Sequence, residues 1–196
     1  MEERKEKALE VARGYFHKYG YRRASLSDLI EEIGISKPTF YNYFKNKEEL
    51  FFAVMLEAYT EFHYQYTTQE KTATNAMERL QLFVSTFGWF LDTYPIYRDL
   101  FKPNNDLLPK WMQSRYSKDF FAEGVETVKS ILEQGLDEGI FRADLDVPKT
   151  ALLVYYVIVS VLSNDPGIFK KAGGPAYEVD VPTLITLIGQ GLLSRE

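Results

Sequence analysis

Between Ser25 and Lys47 the chain reads SLSDLIEEIGISKPTFYNYFKNK, a stretch that admits little besides two short helices joined by a tight turn. Ser25 followed by Asp28 is a capping-box-like start, with a carboxylate in place of the usual Glu or Gln. Leu26, Leu29, Ile30 and Ile33 fall at i, i+3, i+4 and i+7, a single apolar stripe. Gly34 can take the left-handed conformation that ends such a helix. Ser36 is placed to cap the next one, and Pro38 sits in its first turn, where a missing N–H costs nothing. Asn46 with Glu49 three residues on predicts a further capping box and a further helix. Helix, short turn containing Gly, helix is the pattern whose second member enters the DNA major groove.

The whole-chain charge of −5 is wrong for a DNA binder until it is divided along the chain. From Arg13 to Lys47 there are seven Lys and Arg against three Asp and Glu, a local balance of +4, and local sign governs attraction to phosphate. Apolar residues make up 45% of the chain, which places it among folded globular proteins. Cysteine is absent, so disulfides, thiolate metal sites and Cys nucleophiles are excluded together. The N-terminus MEERKEKALE is charged and has no apolar signal region. The longest apolar run, ALLVYYVIVSVL at 151–162, is too short for a bilayer, so a soluble cytoplasmic protein with no membrane partner is expected.

Helical periodicity continues throughout, and an all-α fold of about nine helices is expected. A first helix over 3–19 carries Ala8, Leu9, Ala12, Tyr15, Phe16 and Tyr19 on one face. The helix from Asn46 runs unbroken to about Tyr66, and Gln69–Asn75 reads as a loop. Ala76–Tyr94 is helical until Pro95 stops it. A short helix is expected over Ile96–Lys102, a turn over Pro103–Asp106, and one long helix from about Leu108 to Asp137. The final helices fall at Lys149–Ser163 and Val181–Leu193, separated by a Gly/Pro-rich loop at 164–178. The pattern divides the chain into a helix-turn-helix DNA-binding domain over residues 1–46 and a larger helical domain over 47–196.

Catalysis has no support. His17 and His63 are the only histidines, neither with a second His at metal-ligand spacing, and no GxSxG, P-loop or GxGxxG is present. No cofactor and no metal are expected.

At four places the chain resembles the N-terminal domain of the TetR family of bacterial transcriptional regulators. They are Tyr19-Gly20-Tyr21, Ser25 to Ile30, Gly34-Ile35-Ser36-Lys37, and Tyr41 to Leu50. Pro38 stands where Gly is usual in that family, and Asn42 where His is usual. The resemblance raises the helix-turn-helix residues to DNA contacts. Ser36 caps the recognition helix and presents its start to phosphate; Lys37 projects toward a base edge or backbone oxygen. Pro38 and Thr39 are small enough for close approach to a thymine methyl. Phe40 and Phe44 turn inward, leaving Tyr41 for a phosphate, with Asn42 beside it. Lys47 in the first turn after Asn46 reads as a phosphate clamp, and Ser25 and Ser27 as backbone contacts.

Residues 51–121 hold more aromatics than one stripe per helix needs. In TetR-like proteins this region takes an effector, which implies an apolar pocket drawn from Phe62, Tyr66, Phe87, Phe90, Tyr94, Trp111, Tyr116 and Phe120. The last two helices, about 149–163 and 181–193, are apolar on more than one face, as a homodimer interface requires. The resulting expectation is a homodimeric repressor that leaves a palindromic double-stranded DNA operator when a small hydrophobic or aromatic effector binds. Two alternatives stand beside it: a constitutive or architectural DNA-binding protein without effector, and a helical protein that binds lipids or aromatic compounds.

Overall fold

The computed structural model describes residues 2–101, 107–114, 120–163 and 180–193. The helix boundaries of the first fifty residues follow local chemistry. α1 (Glu2–Arg23) is interrupted only at Gly20, whose φ of 70° and ψ of 161° turn the chain. Ala8, Leu9, Ala12 and Phe16 form its buried stripe. Tyr19, expected on that stripe, is instead 41% exposed; its ring lies 4.5 Å from Tyr15 and beneath the Lys18 ammonium.

α2 (Leu26–Ile33) is capped by Ser25, whose hydroxyl accepts the Asp28 N–H. Gly34 closes it at φ 75°, ψ 32°, donating its N–H to the carbonyls of Ile30 and Glu31. α3 (Lys37–Tyr43) follows after three residues, capped by Ser36 and with Pro38 in its first turn. α4 (Lys47–Gln69) starts at Asn46, whose Oδ1 accepts the Glu49 N–H at 2.8 Å. The reciprocal arm differs from the expected box: Glu49 Oε2 accepts from the Lys45 N–H at 2.6 Å, one residue earlier, because the chain enters the helix extended at Phe44.

A 3₁₀ turn at Glu70–Thr72 leads to α5 (Ala76–Thr93), which ends before Pro95 as its missing N–H demands. Pro95–Phe101 is 3₁₀. The long helix expected from Leu108 to Asp137 is two helices. α6 (Leu107–Gln113) stops where the Ser114 N–H turns back to the Trp111 carbonyl, and α7 begins afresh (Phe120–Asp137). α8 (Val147–Ser163) and α9 (Val181–Leu192) complete the nine α-helices of the described residues, α9 being capped by Asp180. An isolated bridge between Phe141 and Leu193 is the one β pairing among the described residues. The turns expected at Pro103–Asp106 and 164–178 lie outside them.

The chain divides into two compact units: residues 1–61 with 94–117, and residues 62–93 with 118–196. In the first, the 3₁₀ segment Pro95–Phe101 packs on α1, and the buried Tyr97 hydroxyl donates to the Met55 carbonyl of α4. Trp111 of α6 stacks edge-on to Phe52 of α4 at 5.3 Å. In the second, α7 packs closely on α8, and the Tyr155 ring occupies the space a Cβ at Gly124 would need. α5 approaches α9, Gly88 facing Val181. Arg79, Glu70, Gln134 and Glu138 join α5, the turn before it and the end of α7. Arg79 bonds Gln134 at 2.6 Å and Glu70 at 3.1 Å, while Glu138 accepts the Ala76 N–H at 2.9 Å.

Candidate nucleic-acid interface

Seven residues build α3, and their periodicity divides them cleanly. Lys37, Pro38, Tyr41 and Asn42 occupy an arc of about 140° at 3.6 residues per turn, and all four are exposed. Phe40, on the opposite side, is fully buried, as is Phe44, with ring centroids 5.7 Å apart. Tyr41 is 54% exposed while its ring stands edge-on to Phe40 at 5.4 Å. The exposed phenol is therefore held from behind by a buried ring, an amphipathic side chain with its polar tip in water.

Ser36 Oγ accepts the Thr39 N–H at 3.3 Å and lies 2.8 Å from Thr39 Oγ1. Both hydroxyls are thus engaged in shaping the first turn, Thr39 half-buried and Ser36 exposed. On α2, Ser27 is exposed and Ser25 half-buried under its capping bond. Lys45, just beyond α3, is exposed as well. The structure therefore brings Lys37, Pro38, Tyr41 and Asn42 onto one solvent-facing surface.

Lys47 is placed differently from the expected phosphate clamp. Its ammonium donates to the Tyr21 carbonyl at 2.9 Å and to the Ala24 carbonyl at 2.8 Å, and lies 4.4 Å from the centre of the Tyr21 ring. Burial pulls its pKa below the ordinary lysine value. Tyr21 and Ala24 were not singled out as functional residues in the sequence. They stand 26 and 23 positions from Lys47, and the only local hint is Gly20, which breaks α1 just before them.

The aromatic candidates fall into both units. Phe62, Tyr66, Phe87, Phe90 and Phe120 belong to the second, and all five are buried. Phe62 lies 5.8 Å from Phe87 and 5.3 Å from Phe90, and Tyr66 is edge-on to Phe83 at 5.3 Å. The buried Tyr66 hydroxyl makes no hydrogen bond of normal geometry; burial first, then the nearby Glu70 carboxylate, push its pKa far up. Tyr94 and Trp111 belong to the first unit. The Tyr94 hydroxyl donates to Glu61, and burial together with that bond pushes its pKa up to about 12. Tyr116 lies outside the described residues. Among the described residues no group of three His, Cys, Asp or Glu could hold a metal ion, and no helix is long and apolar enough to cross a membrane.

Comparison with known proteins places this surface in context. Residues 8–54 match the family described as "Bacterial regulatory proteins, tetR family". The transcriptional repressor KstR2 of Mycobacterium tuberculosis is 28% identical over 170 residues, covering 84% of this chain and 82% of that protein. The repressor ComR of Escherichia coli is 48% identical over 48 residues, 24% of this chain and 23% of its own. Among solved structures, the Bacillus subtilis regulator FadR, in complex with stearoyl-CoA, superposes with a TM-score of 0.69 at 20% identity, covering 96% of this chain and 97% of its own. That likeness establishes a shared fold.

Proposed function

We propose that this chain, whose residues 8–54 match the TetR family of bacterial regulatory proteins and which is similar to the repressor KstR2 over most of its length, is a repressor that holds a palindromic operator as a homodimer and leaves it when a small hydrophobic effector binds. It is a DNA-binding transcriptional regulator and not an enzyme, as its relatives are. The observation that carries the finer reading is α3: a short helix whose buried Phe40 fixes one side while Lys37, Pro38, Tyr41 and Asn42 face solvent on the other. Such a face fits a major groove, with Tyr41 and Lys37 on phosphates and Pro38, Thr39 and Asn42 near base edges. Ser25, Ser27 and Ser36 add short hydroxyls along the same segment. Recognition is assigned to residues 1–46, and effector binding and dimerisation to 47–196.

Two observations support the remainder. On α8, Leu152, Leu153 and Tyr156 are exposed, as is Leu187 on α9. Exposed apolar side chains on two helices that contact one another are what a second copy covers, and a two-fold dimer presents two α3 helices to half-sites about 34–36 Å apart. The buried rings of Phe62, Tyr66, Phe87, Phe90 and Phe120 make the second unit rich in apolar surface that an effector of that character would engage, and FadR, which shares the fold, is in complex with stearoyl-CoA. α4, continuous from Lys47 to Gln69, is the route of coupling: an effector that prefers the state with misplaced α3 helices by about 1.4 kcal/mol shifts occupancy tenfold.

The test is fluorescence anisotropy with DNA from upstream of the protein's own gene, with and without stearoyl-CoA, comparing wild type with Lys37→Ala/Tyr41→Ala. Saturable, salt-sensitive binding lost in the variant supports the regulator reading. Release by stearoyl-CoA supports the effector class. Absence of binding at low salt, both to this DNA and to any duplex in a random-sequence pool, refutes operator recognition. A monomer in sedimentation at micromolar concentration refutes the dimer.

A further inference from the structure

We propose that Lys47 is a positioning residue for DNA recognition: its ammonium locks the end of α1 to the start of α4 and so fixes where α2 and α3 stand, rather than binding a phosphate. This rests on the regulator reading above. The chain enters the helix-turn-helix pair at Ala24, the residue before the Ser25 cap, and leaves it at Lys47, the residue after the Asn46 cap. One ammonium joins these two points through the Ala24 carbonyl at 2.8 Å, with the Tyr21 carbonyl at 2.9 Å beside it. The pair of helices that carries the exposed face is therefore a loop closed at its base.

The closure is well founded locally. The last carbonyls of a helix lack intrahelical donors, and Gly20 with its φ of 70° breaks α1 just before Tyr21. A compact ammonium with three protons suits two converging carbonyls better than a planar guanidinium does. Tyr21 is in turn held: its ring lies 4.8 Å from Phe51, one turn along α4 from Lys47, and 6.2 Å from Phe16 of α1. The Lys47 ammonium stands over the same ring. A second clasp sits at the exit, where Glu49 accepts the Lys45 N–H and donates its own N–H to Asn46. Two of the three protons of Lys47 are thus committed to protein, whereas Lys37 and Lys45 are exposed and can meet phosphate.

The two roles differ in how binding depends on salt. A phosphate contact contributes about one unit to the slope of log affinity against log salt, and a positioning contact contributes none. The probe is a fluorescein-labelled duplex enriched from a random-sequence pool by the wild-type protein, titrated at several salt concentrations. Lys47→Met, which keeps the stem and removes the charge, is expected to bind at least about tenfold more weakly with an unchanged slope, while Lys37→Ala lowers the slope. Lys47→Arg keeps a full positive charge, so it is expected to bind more weakly than wild type at the same slope, and it serves if the Met variant does not fold. A slope lowered by about one in Lys47→Met, or wild-type affinity in Lys47→Arg, overturns the proposal.

Thermal unfolding gives an arm independent of DNA. Lys47→Met is expected to melt several degrees below wild type, because the Tyr21 and Ala24 carbonyls lose their donor, and to be non-additive with Tyr21→Leu only through the shared contact of ammonium and ring. A Lys47→Met variant that melts with wild type overturns the lock. Should the wild type enrich no duplex at all, the regulator reading fails while this measurement still decides whether the lock exists.

Discussion

Phe40 and Tyr41 are sequence neighbours of similar size, and the structure assigns them opposite consequences. Phe40 is fully buried, with its ring against Phe44 at 5.7 Å and Tyr41 at 5.4 Å. Replacing a buried Phe with Ala costs about 3–5 kcal/mol through lost transfer free energy and the cavity left behind. α3 has only seven residues and no second buried side chain of its own, so the site has little with which to collapse, and the upper half of that range is expected. At roughly 2–4 °C per kcal/mol for a chain of this size, Phe40→Ala should melt about 10 °C or more below wild type. Tyr41 is more than half exposed, at 54%, and its truncation forfeits mainly the edge contact, about 0.5–1.5 kcal/mol, a few degrees at most. DNA affinity should respond in the opposite order of directness. Tyr41→Ala folds normally yet binds the selected duplex about tenfold more weakly, the effect of one lost hydrogen bond to a charged group, whereas Phe40→Ala loses binding as it loses fold. Melting followed by circular dichroism at 222 nm, with anisotropy at a temperature where both variants are folded, separates the two. A Tyr41→Ala variant melting as low as Phe40→Ala, or a Phe40→Ala variant indistinguishable from wild type, would show that α3 is not oriented as described.

Gly34→Ala meets no atom within 4 Å, so its cost is purely conformational; a left-handed Ala at φ 75° is disfavoured by about 1–2 kcal/mol, and urea denaturation should show that loss, with Gly34→Asn losing less. Gly135→Ala would place a Cβ 2.0 Å from the Phe141 ring. Since Phe141 is itself buried, destabilisation of about 1–3 kcal/mol from overpacking is expected, and Gly135→Ala/Phe141→Leu should recover part of it in the same denaturation assay. Tyr94, whose pKa stands at about 12 in the fold against an ordinary 10.0, favours folding while protonated. Its contribution is full below pH 10 and disappears as pH rises to about 12. Tyr94→Phe should therefore lose less stability than wild type across that window, measured by urea midpoints at matched pH; equal losses would mean that burial and the Glu61 bond do not hold the phenol neutral.

Much of the first fifty residues is legible in the amino-acid order because their determinants are local. Ser25, Gly34, Ser36 and Asn46 act on backbone groups within four residues, and each ends or begins a helix where its chemistry dictates. The inward Phe40 and outward Tyr41 follow from the same 3.6-residue period, as does the Lys37–Asn42 face. Where the period was the only guide, it overreached: it carried one helix through Ser114, and it put Tyr19 on a stripe that Gly20 cuts short. What tertiary structure alone decided are the partners brought from afar. Lys47 reads as a solvent-facing base until folding sets it between the carbonyls of Tyr21 and Ala24. Tyr94 finds Glu61, Tyr97 finds Met55, and Arg79 finds Gln134 across 33, 42 and 55 residues. Capping and periodicity depend on bonds that close within a turn of chain, so the local order of residues suffices to place them. A buried charge or hydroxyl instead takes whichever polar group the packing of several helices leaves beside it, and that choice exists only once those helices have met.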